Sequence, residues 1–179
     1  MLAVILAELK IEEEKSKFSS VYYEYRTLMA NRAYSILNDH GLAEDAVQNA
    51  FLKILKNIKC IGEVKSTRTK NFVVIVTENC AKDIYRKEHR VRFVDLDDID
   101  ISENIENKIE AKMTAENIRR LINELPDIYT DVLLLKYFNG LSDKEIASAL
   151  SVSLATVRKR LLRGKQRLSV LKEDDQNDK

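Results

Sequence analysis

Apolar residues recur every three or four positions along most of this chain, which is the spacing of one face of an α-helix. The clearest stripe lies in 43–58 and consists of Val47, Ala50, Phe51, Ile54, Leu55 and Ile58. The same spacing predicts helices over 18–37 and 69–88, and Gly41 is expected to end the first of them. The N-terminal half should therefore consist of three packed helices.

The C-terminal half carries the same helical pattern in shorter segments. The pattern predicts helices over 113–125 and 127–138, which Pro126 separates because proline disfavours a helical conformation in the residue before it. Asn139 and Gly140 should end the second of these helices, since both residue types accept the left-handed conformation common at helix C-termini.

Two more predicted helices, 143–150 and 154–171, have the pattern of a helix-turn-helix. Ser142 and Glu145 have the S-x-x-E spacing of a capping box, and Ser153 is a suitable cap for the last helix. A helix, a short turn and a basic second helix form the arrangement in which the second helix enters the major groove of DNA. The sequence therefore predicts a DNA-binding element in this part of the chain.

The composition supports an all-α protein and excludes several functional classes. The 179 residues include only 4 Gly and 1 Pro, and 45% are hydrophobic, which excludes a collagen-like or largely disordered chain. The cysteines, Cys60 and Cys80, and the histidines, His40 and His89, are too scattered for a disulfide framework or a zinc site. We expect reduced thiols, no metal, no cofactor and no catalytic residue.

The first seven residues, MLAVILA, are apolar and are soon followed by several glutamates. This stretch is too short to span a bilayer, and it lacks the basic start of a signal peptide. We expect it to form a short docked helix in a cytoplasmic protein without membrane insertion.

The net charge of +1 hides a strong segregation of charge along the chain. Residues 61–92 carry a net +4 and residues 141–172 a net +6, whereas 93–112 carry −5 and the tail 173–179 carries −3. Two basic blocks separated by an acidic stretch suggest two modules that each contact a polyanion. We therefore predict an all-α fold of two small helical domains joined by an acidic linker.

One residue in 43–58 does not fit the amphipathic pattern. Leu52 lies opposite the apolar stripe, among the polar side chains of Asp45, Gln48 and Asn49. A single exposed leucine needs no explanation. A leucine among polar side chains equally fits the centre of a protein interface, and both interpretations stay open at this level.

Basic side chains crowd the C-terminal end of the 69–88 helix. They are Lys82, Arg86, Lys87, His89, Arg90 and Arg92. Cations at that end favour the helix dipole, but this number of basic groups exceeds what a helix end requires. With Asn79 and Tyr85 nearby, we expect a nucleic-acid-binding face.

The last helix combines an apolar stripe with a basic opposite side. The predicted outward side consists of Lys159, Arg160, Arg163 and Arg167, with Arg158 and Leu162 at its flanks. We expect Arg163 to face base edges in the major groove, and Arg167, one turn further on, to meet phosphate or solvent.

Four segments of the chain resemble bacterial RNA polymerase sigma factors of the extracytoplasmic-function group. AEDAVQNAFLKILKNI resembles the family segment that binds core polymerase, and NFVVIVTENCAKDIYRKEHR resembles the segment that melts and reads the minus-ten promoter element. LPDIYTDVLLLKYFNG and LSDKEIASALSVSLATVRKRLLRGKQRL resemble the domain that reads the minus-thirty-five element. The resemblance extends over 18–171 in the order that the family has.

The resemblance implies three groups of contact residues. The core-polymerase group is Asp45, Gln48, Asn49 and Leu52. The minus-ten group is Asn79, Asp83, Arg86, Lys87 and Arg90. The minus-thirty-five group is Ser153, Thr156, Arg158, Lys159, Arg160, Leu162 and Arg163.

The resemblance also implies a domain organisation and a set of partners. A region 2 domain over 1–92 and a region 4 domain over 113–172 are expected, with the linker 93–112 between them and the acidic tail 173–179 at the end. Expected partners are core RNA polymerase, promoter DNA as duplex and as melted single strand, and an anti-sigma factor. No enzymatic activity is expected.

Two other functions are compatible with parts of the sequence. A stand-alone helix-turn-helix regulator would account for the C-terminal third, but it would leave the polar face around Leu52 and the first basic block unused. An enzyme acting on nucleic acid would need a phosphate loop, a metal cluster or a nucleophile paired with a base, and the sequence carries none of these motifs.

Overall fold

The computed structural model of the chain describes residues 12–89 and 115–177, with side chains for 12–89 and 116–172. Both stretches are helical and contain no β-strand, which confirms the predicted all-α fold. The expectations for the N-terminal apolar segment, for Arg90 and for the acidic linker lie outside the described residues. Within the described stretches, no helix is long and apolar enough to cross a membrane.

The first described stretch, 12–89, forms the N-terminal module. Its elements are α1 (Glu12–Leu37), α2 (His40–Lys56), a 3-10 turn (Ile58–Cys60) and α3 (Thr67–Glu88). Phe18 from α1, Phe51 from α2 and Phe72 from α3 are each at most 2% exposed and belong to one apolar core. The rings of Phe18 and Phe51 meet edge to face with their centroids 5.9 Å apart, a favourable aromatic geometry.

The break between α1 and α2 differs from the expectation. Asn38 adopts a left-handed conformation with φ 51°, and the Asp39 carboxylate caps α2 by accepting a hydrogen bond from Leu42 N at 2.8 Å. Gly41, which was expected to end the first helix, lies inside α2. Asparagine tolerates the left-handed region and aspartate is a strong N-cap, so two polar residues make the break without a glycine.

The second described stretch, 115–177, forms the C-terminal module. Its helices are α4 (Ala115–Asn123), α5 (Asp127–Leu133), α6 (Asp143–Leu150) and α7 (Leu154–Asn177). The predicted helix 127–138 is only partly α-helical, because Leu134–Phe138 forms a π-helical turn. In that turn Asn139 N donates to Leu134 O at 3.0 Å, one residue further back than in an α-helix.

Helices α6 and α7 form the predicted helix-turn-helix. Ser142 and Glu145 cap the start of α6 reciprocally, and Ser153 Oγ accepts a hydrogen bond from Thr156 N at 3.0 Å at the start of α7. Ser151, in the left-handed conformation with φ 55°, turns the chain between the two helices. The caps satisfy backbone N–H groups that have no partner within the first helical turn.

The two modules pack against each other, and α6 contacts both α2 and α3. Asn57 Nδ2 donates to Ser148 Oγ at 3.4 Å, and the Cys60 thiol donates to Glu145 Oε1 at 3.0 Å. The first helix of the helix-turn-helix therefore faces the N-terminal module.

Candidate polymerase and nucleic-acid interfaces

A shallow depression on the outer side of α2 contains the four residues predicted to bind core polymerase. Asp45, Gln48, Asn49 and Leu52 line it together with Leu42 from α2 and with Ile84, Lys87 and Glu88 from α3. The depression, which we call the Leu52 depression, has a volume of about 270 Å³. Leu52 is 38% exposed, so an apolar side chain lies within a largely polar rim, which is the arrangement of a small protein-binding site.

The predicted minus-ten residues do not all share one surface. Asn79, Asp83 and Arg86 line a cavity between the two modules, whereas Lys87 borders the Leu52 depression. Eight positions separate Asn79 from Lys87, which turns the two side chains about 80° apart around the helix axis. Arg90 lies outside the described residues.

The inter-module cavity has a volume of about 390 Å³ and has walls from both modules. The N-terminal module contributes Ile36, Asn79, Lys82, Asp83, Tyr85 and Arg86. The C-terminal module contributes Asp127, Ile128, Asp131, Leu150, Ser151, Val152 and Arg160. Basic groups of α3 thus face acidic groups of α5 across the cavity.

The side-chain amide of Asn79 is bound by its own helix and by the opposite module. Its Nδ2 donates to Ile75 O at 2.9 Å and to Asp131 Oδ2 at 3.0 Å. Burial raises the pKa of Asp131 to about 6, although the hydrogen bond from Asn79 and the charge of Lys82 lower it. The cost of removing a carboxylate from water is therefore larger than the favourable contacts that this carboxylate makes.

An ion pair also joins α3 to α5. Lys82 Nζ lies 2.7 Å from Asp127 Oδ2 and 3.8 Å from Glu78 Oε2, and Glu78 also pairs with Arg32 on α1. The side chain of Asp127 is mostly exposed, so this pair is partly screened by solvent. It nevertheless places an acidic group of the C-terminal module on the basic side of α3.

The turn after the π-helical segment reaches the start of α3. Asn139 Nδ2 donates to Arg68 O at 2.9 Å. Gly140 has φ +66°, and a Cβ there would lie 2.9 Å from Arg68 Nη2. A glycine at this position allows both the left-handed conformation and the close approach of the arginine side chain.

An aromatic surface lies at the C-terminal end of α3. The rings of Tyr85 and His89 stack with their centroids 4.0 Å apart, and Tyr85 is 40% exposed. An exposed ring beside basic groups is suited to stacking with an unpaired base.

The exposed face of α7 differs from the one predicted. Arg158, Lys159 and Leu162 are exposed. Arg163 is only 8% exposed, and Arg160 is partly buried. The prediction that Arg163 lies on the outward face is therefore wrong, and the exposed face is centred nearer to Lys159.

The packing of α7 against α5 explains which residues of α7 are exposed. A Cβ at Gly164 would lie 3.0 Å from Leu133 Cδ1, which shows how closely α7 approaches α5. Arg167 is exposed, and its guanidinium lies over the ring of Tyr129, 5.2 Å from its centroid. A helical wheel places residues relative to the apolar stripe, but it does not show how far a neighbouring helix covers the flanks of that stripe.

The hydroxyl groups predicted to contact phosphate lie at the start of α7. Ser153 Oγ and Thr156 Oγ1 are 2.8 Å apart, and Ser153 Oγ also accepts the capping hydrogen bond from Thr156 N. Ser153 is exposed and Thr156 is partly buried. A helix N-terminus of this kind presents backbone N–H groups to an anion.

Asp127 and Asp131 are inter-module residues that the sequence analysis missed. Asp131 directly precedes the apolar run VLLL and lies on a short helix that is otherwise largely apolar. A charged side chain in such a position needs a partner when it is buried, so the position of Asp131 in the sequence could have indicated a contact with another part of the chain. The identity of the partner could not be read from the sequence.

The cysteines have no sign of nucleophilic or metal-binding chemistry. Burial, together with the hydrogen bond to Glu145, raises the pKa of Cys60 to about 12, and burial also raises the pKa of Cys80. A thiol with a raised pKa is a poor nucleophile near neutrality. In 12–89 and 115–177, no three potential ligands among His, Cys, Asp and Glu lie close enough together to hold a metal ion.

A helix-turn-helix whose second helix exposes Arg158 and Lys159 defines a DNA-binding protein. Comparison with known protein families identifies which class of DNA-binding protein this is. Sigma-70 region 2 matches residues 21–91, and Sigma-70, region 4 matches residues 115–168. The chain belongs to the RNA polymerase sigma factors, in their extracytoplasmic-function group.

Two relatives similar in sequence, both sigma factors, agree with this assignment. The chain is 27% identical over 137 residues to the RNA polymerase sigma factor SigZ of Bacillus subtilis (strain 168), and the match covers 76% of each protein. It is 28% identical over 162 residues to the extracytoplasmic-function sigma factor SigM of the same organism, covering 88% of this chain and 96% of the relative. A similar solved structure is the sigma factor RpoE in complex with the anti-sigma factor NepR from Bartonella quintana, with a TM-score of 0.36, 19% identity and coverage of 87% and 96%.

As a sigma factor, the protein binds core RNA polymerase and directs promoter recognition and transcription initiation. A stand-alone helix-turn-helix regulator would not account for the match to region 2, so that alternative is set aside.

Proposed function

We propose that the protein performs initiation with three separate surfaces. The Leu52 depression binds core polymerase, the α3 face around Asn79 reads the minus-ten element, and the exposed face of α7 reads the minus-thirty-five element. The observation that carries this proposal is the grouping of all four predicted core-binding residues around one exposed leucine. The proposed domains remain 1–92 and 113–172, with the linker 93–112 and the tail 173–179.

The α3 face has the groups needed to hold a melted base. The Asn79 amide offers a donor and an acceptor to a base edge, and the ring of Tyr85 offers a stacking surface. Arg86 Nη1 donates to Asp83 Oδ1 at 2.8 Å, and we assign the Arg86 guanidinium a phosphate contact beside Asn79. Extruding a base costs a few kcal/mol. Stacking of about 1–3 kcal/mol per base offsets this cost without any hydrolysis, so we assign no enzymatic step to the protein.

The α7 face has the groups needed to read duplex DNA. Arg158 and Lys159 supply cations for guanine edges or phosphates, and Leu162 supplies an apolar contact within the groove. The hydroxyls of Ser153 and Thr156 suit the phosphates at the start of the helix. Arg160 and Arg163 lie outside this exposed face, and we do not assign base reading to them.

The proposed function also sets the location and the partners of the protein. A factor that works on core polymerase and chromosomal promoters acts in the cytoplasm, and we propose that location. An anti-sigma partner stays a prediction that follows from the family resemblance.

The substitution Leu52→Glu tests the core-binding surface. We expect it to weaken binding to purified core RNA polymerase by about tenfold or more, because a carboxylate would replace the apolar part of the interface. Helical content and thermal stability should stay nearly unchanged, since surface substitutions usually alter stability by less than about 0.5 kcal/mol. Binding is measured by fluorescence titration, and function by run-off transcription on genomic DNA.

Tyr23→Glu is the matched control, because Tyr23 is 63% exposed on α1 and does not line the Leu52 depression. It should leave core binding within about twofold of the parent protein. If Leu52→Glu unfolds the protein, or if both variants bind core polymerase equally well, the assignment of the Leu52 depression is wrong.

A further inference from the structure

One carboxylate of the C-terminal module lies between two basic side chains from different elements. Asp143, the first residue of α6, has Oδ1 2.6 Å from Nζ of Lys136 in the π-helical turn. Its other oxygen, Oδ2, lies 3.8 Å from Nε of Arg158 on the exposed face of α7. A single side chain thus connects the start of α6 both to the π-helical turn and to α7.

The carboxylate of Asp143 is held more firmly than the guanidinium of Arg158. Asp143 follows the N-cap Ser142, and a carboxylate in the first turn of a helix is stabilised by the helix dipole. The hydrogen bond from Lys136 restrains this carboxylate further. The side chain of Asp143 is 27% exposed, against 69% for that of Arg158. The carboxylate is therefore the fixed partner of the pair, and the arginine side chain is the partner that it can orient.

The contact with Asp143 leaves Arg158 able to bind guanine. At 3.8 Å the pair is an electrostatic contact rather than a hydrogen bond, so it biases the position of the guanidinium without occupying its N–H donors. Two of those donors are sufficient for the bidentate contact of arginine with guanine O6 and N7. A side chain that is restrained before it binds also loses less conformational freedom in the complex.

The same carboxylate makes phosphate a poorer partner for Arg158. A phosphate placed at this arginine would also lie near Asp143, and the two anions would repel each other. Guanine O6 and N7 are neutral acceptors, so a base edge meets less repulsion at the same place. Specificity depends on penalising the wrong contact as well as on favouring the right one. Asp143 should therefore disfavour nonspecific duplex binding more than sequence-specific binding.

We propose that Asp143 is a positioning residue for reading the minus-thirty-five element: held by Lys136, it directs Arg158 to a base edge and away from the phosphates. This inference rests on the proposed role of the exposed α7 face. An ion pair with one exposed partner contributes little to stability. The effect of Asp143 is therefore expected in the ratio of the affinities for cognate and random duplex, which we call the preference, rather than in the stability of the module.

A double-mutant cycle tests whether Asp143 acts through Arg158. The full chain and its variants are titrated by fluorescence anisotropy at one salt concentration against a random duplex and a cognate minus-thirty-five duplex taken from run-off transcription. Arg158→Ala should lower the preference by about tenfold. Asp143→Asn should lower it by about fivefold without weakening the binding of random duplex. In the Arg158→Ala protein, Asp143→Asn should change the preference by less than about twofold.

A matched control separates positioning from a general loss of negative charge. Glu124→Gln makes the same chemical change at an exposed acid just after α4, where the carboxylate pairs with Arg120. It should leave the preference within about twofold of the parent protein, since distant sites act independently. Circular dichroism should show that all variants keep the helical content of the parent protein.

The outcomes distinguish the inference from the function on which it rests. An Arg158→Ala protein with an unchanged preference would overturn base reading by Arg158, and the positioning role with it. If Arg158→Ala lowers the preference but Asp143→Asn does not, or lowers it equally with and without Arg158, the positioning role is wrong and the α7 assignment stands. A loss of helical content in Asp143→Asn would show that the carboxylate supports the module rather than Arg158, and would also contradict the proposal.

Discussion

Lys159 lies near the centre of the exposed face of α7, while Arg163, two residues beyond Leu161, is buried. The charge pattern alone does not distinguish the two residues, since both are cationic and both lie away from the apolar stripe. Burial distinguishes them, because only an exposed cation reaches a base edge without moving the helix. Base reading by α7 is therefore assigned to the residues around Lys159.

The substitutions Lys159→Ala and Arg167→Ala test this assignment. Lys159→Ala should reduce the preference for a cognate minus-thirty-five duplex over random duplex by about tenfold, within the 1–3 kcal/mol that a specific base contact supplies. Arg167→Ala should change both affinities by less than about twofold, because its guanidinium lies over Tyr129. Fluorescence anisotropy at one salt concentration measures both, with the cognate duplex taken from run-off transcription. Equal losses on both duplexes for Lys159→Ala would show that it contacts phosphate only.

At the level of helices, local sequence signals predicted most elements with small errors at their ends. The capping box of Ser142 and Glu145 is present as predicted, because its hydrogen bonds join residues only three positions apart. The π-helical turn at Leu134–Phe138 was not predicted, since its residues have the same apolar pattern as an α-helix. The turn ends at Asn139, whose side chain donates a hydrogen bond to Arg68 O on α3, 71 positions away in the sequence.

The approach of α7 to α5 at Gly164 leads to a prediction about stability. Gly164→Val should lower the free energy of unfolding by about 1–3 kcal/mol, because added methyl groups would overlap the side chain of Leu133. Urea unfolding followed by circular dichroism measures the change. Ala155→Val is the control, since it places a valine at an exposed position of the same helix and should change stability by less than about 0.5 kcal/mol. Equal effects of the two substitutions would contradict close packing at Gly164.

For the whole molecule, the packed arrangement should depend on pH through Asp131. The charged groups that face this carboxyl or share its cavity are Glu78, Lys82, Asp83 and Arg86 on α3, Asp127 on α5 and Arg160 on α7. Burial raises the pKa of Asp131 to about 6 from an ordinary value of 3.8. In separated modules this pKa should return toward its ordinary value, so protonation favours the packed form.

The contribution of Asp131 to packing is therefore fully present below about pH 4 and is lost as the pH rises through about 6. Between these values, each pH unit should shift the ratio of packed to separated protein by up to about tenfold. Scattering measurements across this range should show a radius of gyration that increases with pH. Asp131→Asn should remove this dependence while keeping an acceptor for Asn79, and an unchanged pH profile in that variant would contradict the assignment to Asp131.

The helical class, the helix-turn-helix, the two basic blocks and the exposure of Leu52 all follow from the sequence. The helices, their caps and the exposure of Leu52 depend on residues within about two helical turns of one another, so periodicity and capping are sufficient to predict them. The basic blocks follow from counting charges along the chain. Segment resemblance added the three contact groups, and the family matches support the class of protein they imply.

Three features required the folded molecule: the burial of Arg163, the position of Lys87 at the Leu52 depression rather than beside Asn79, and the partners of Asp131. Arg163 is buried because a second helix covers one flank of α7, and Asn79 meets Asp131 although 52 positions separate them. A contact of that range depends on how whole helices pack, which the spacing of residues along one helix does not describe.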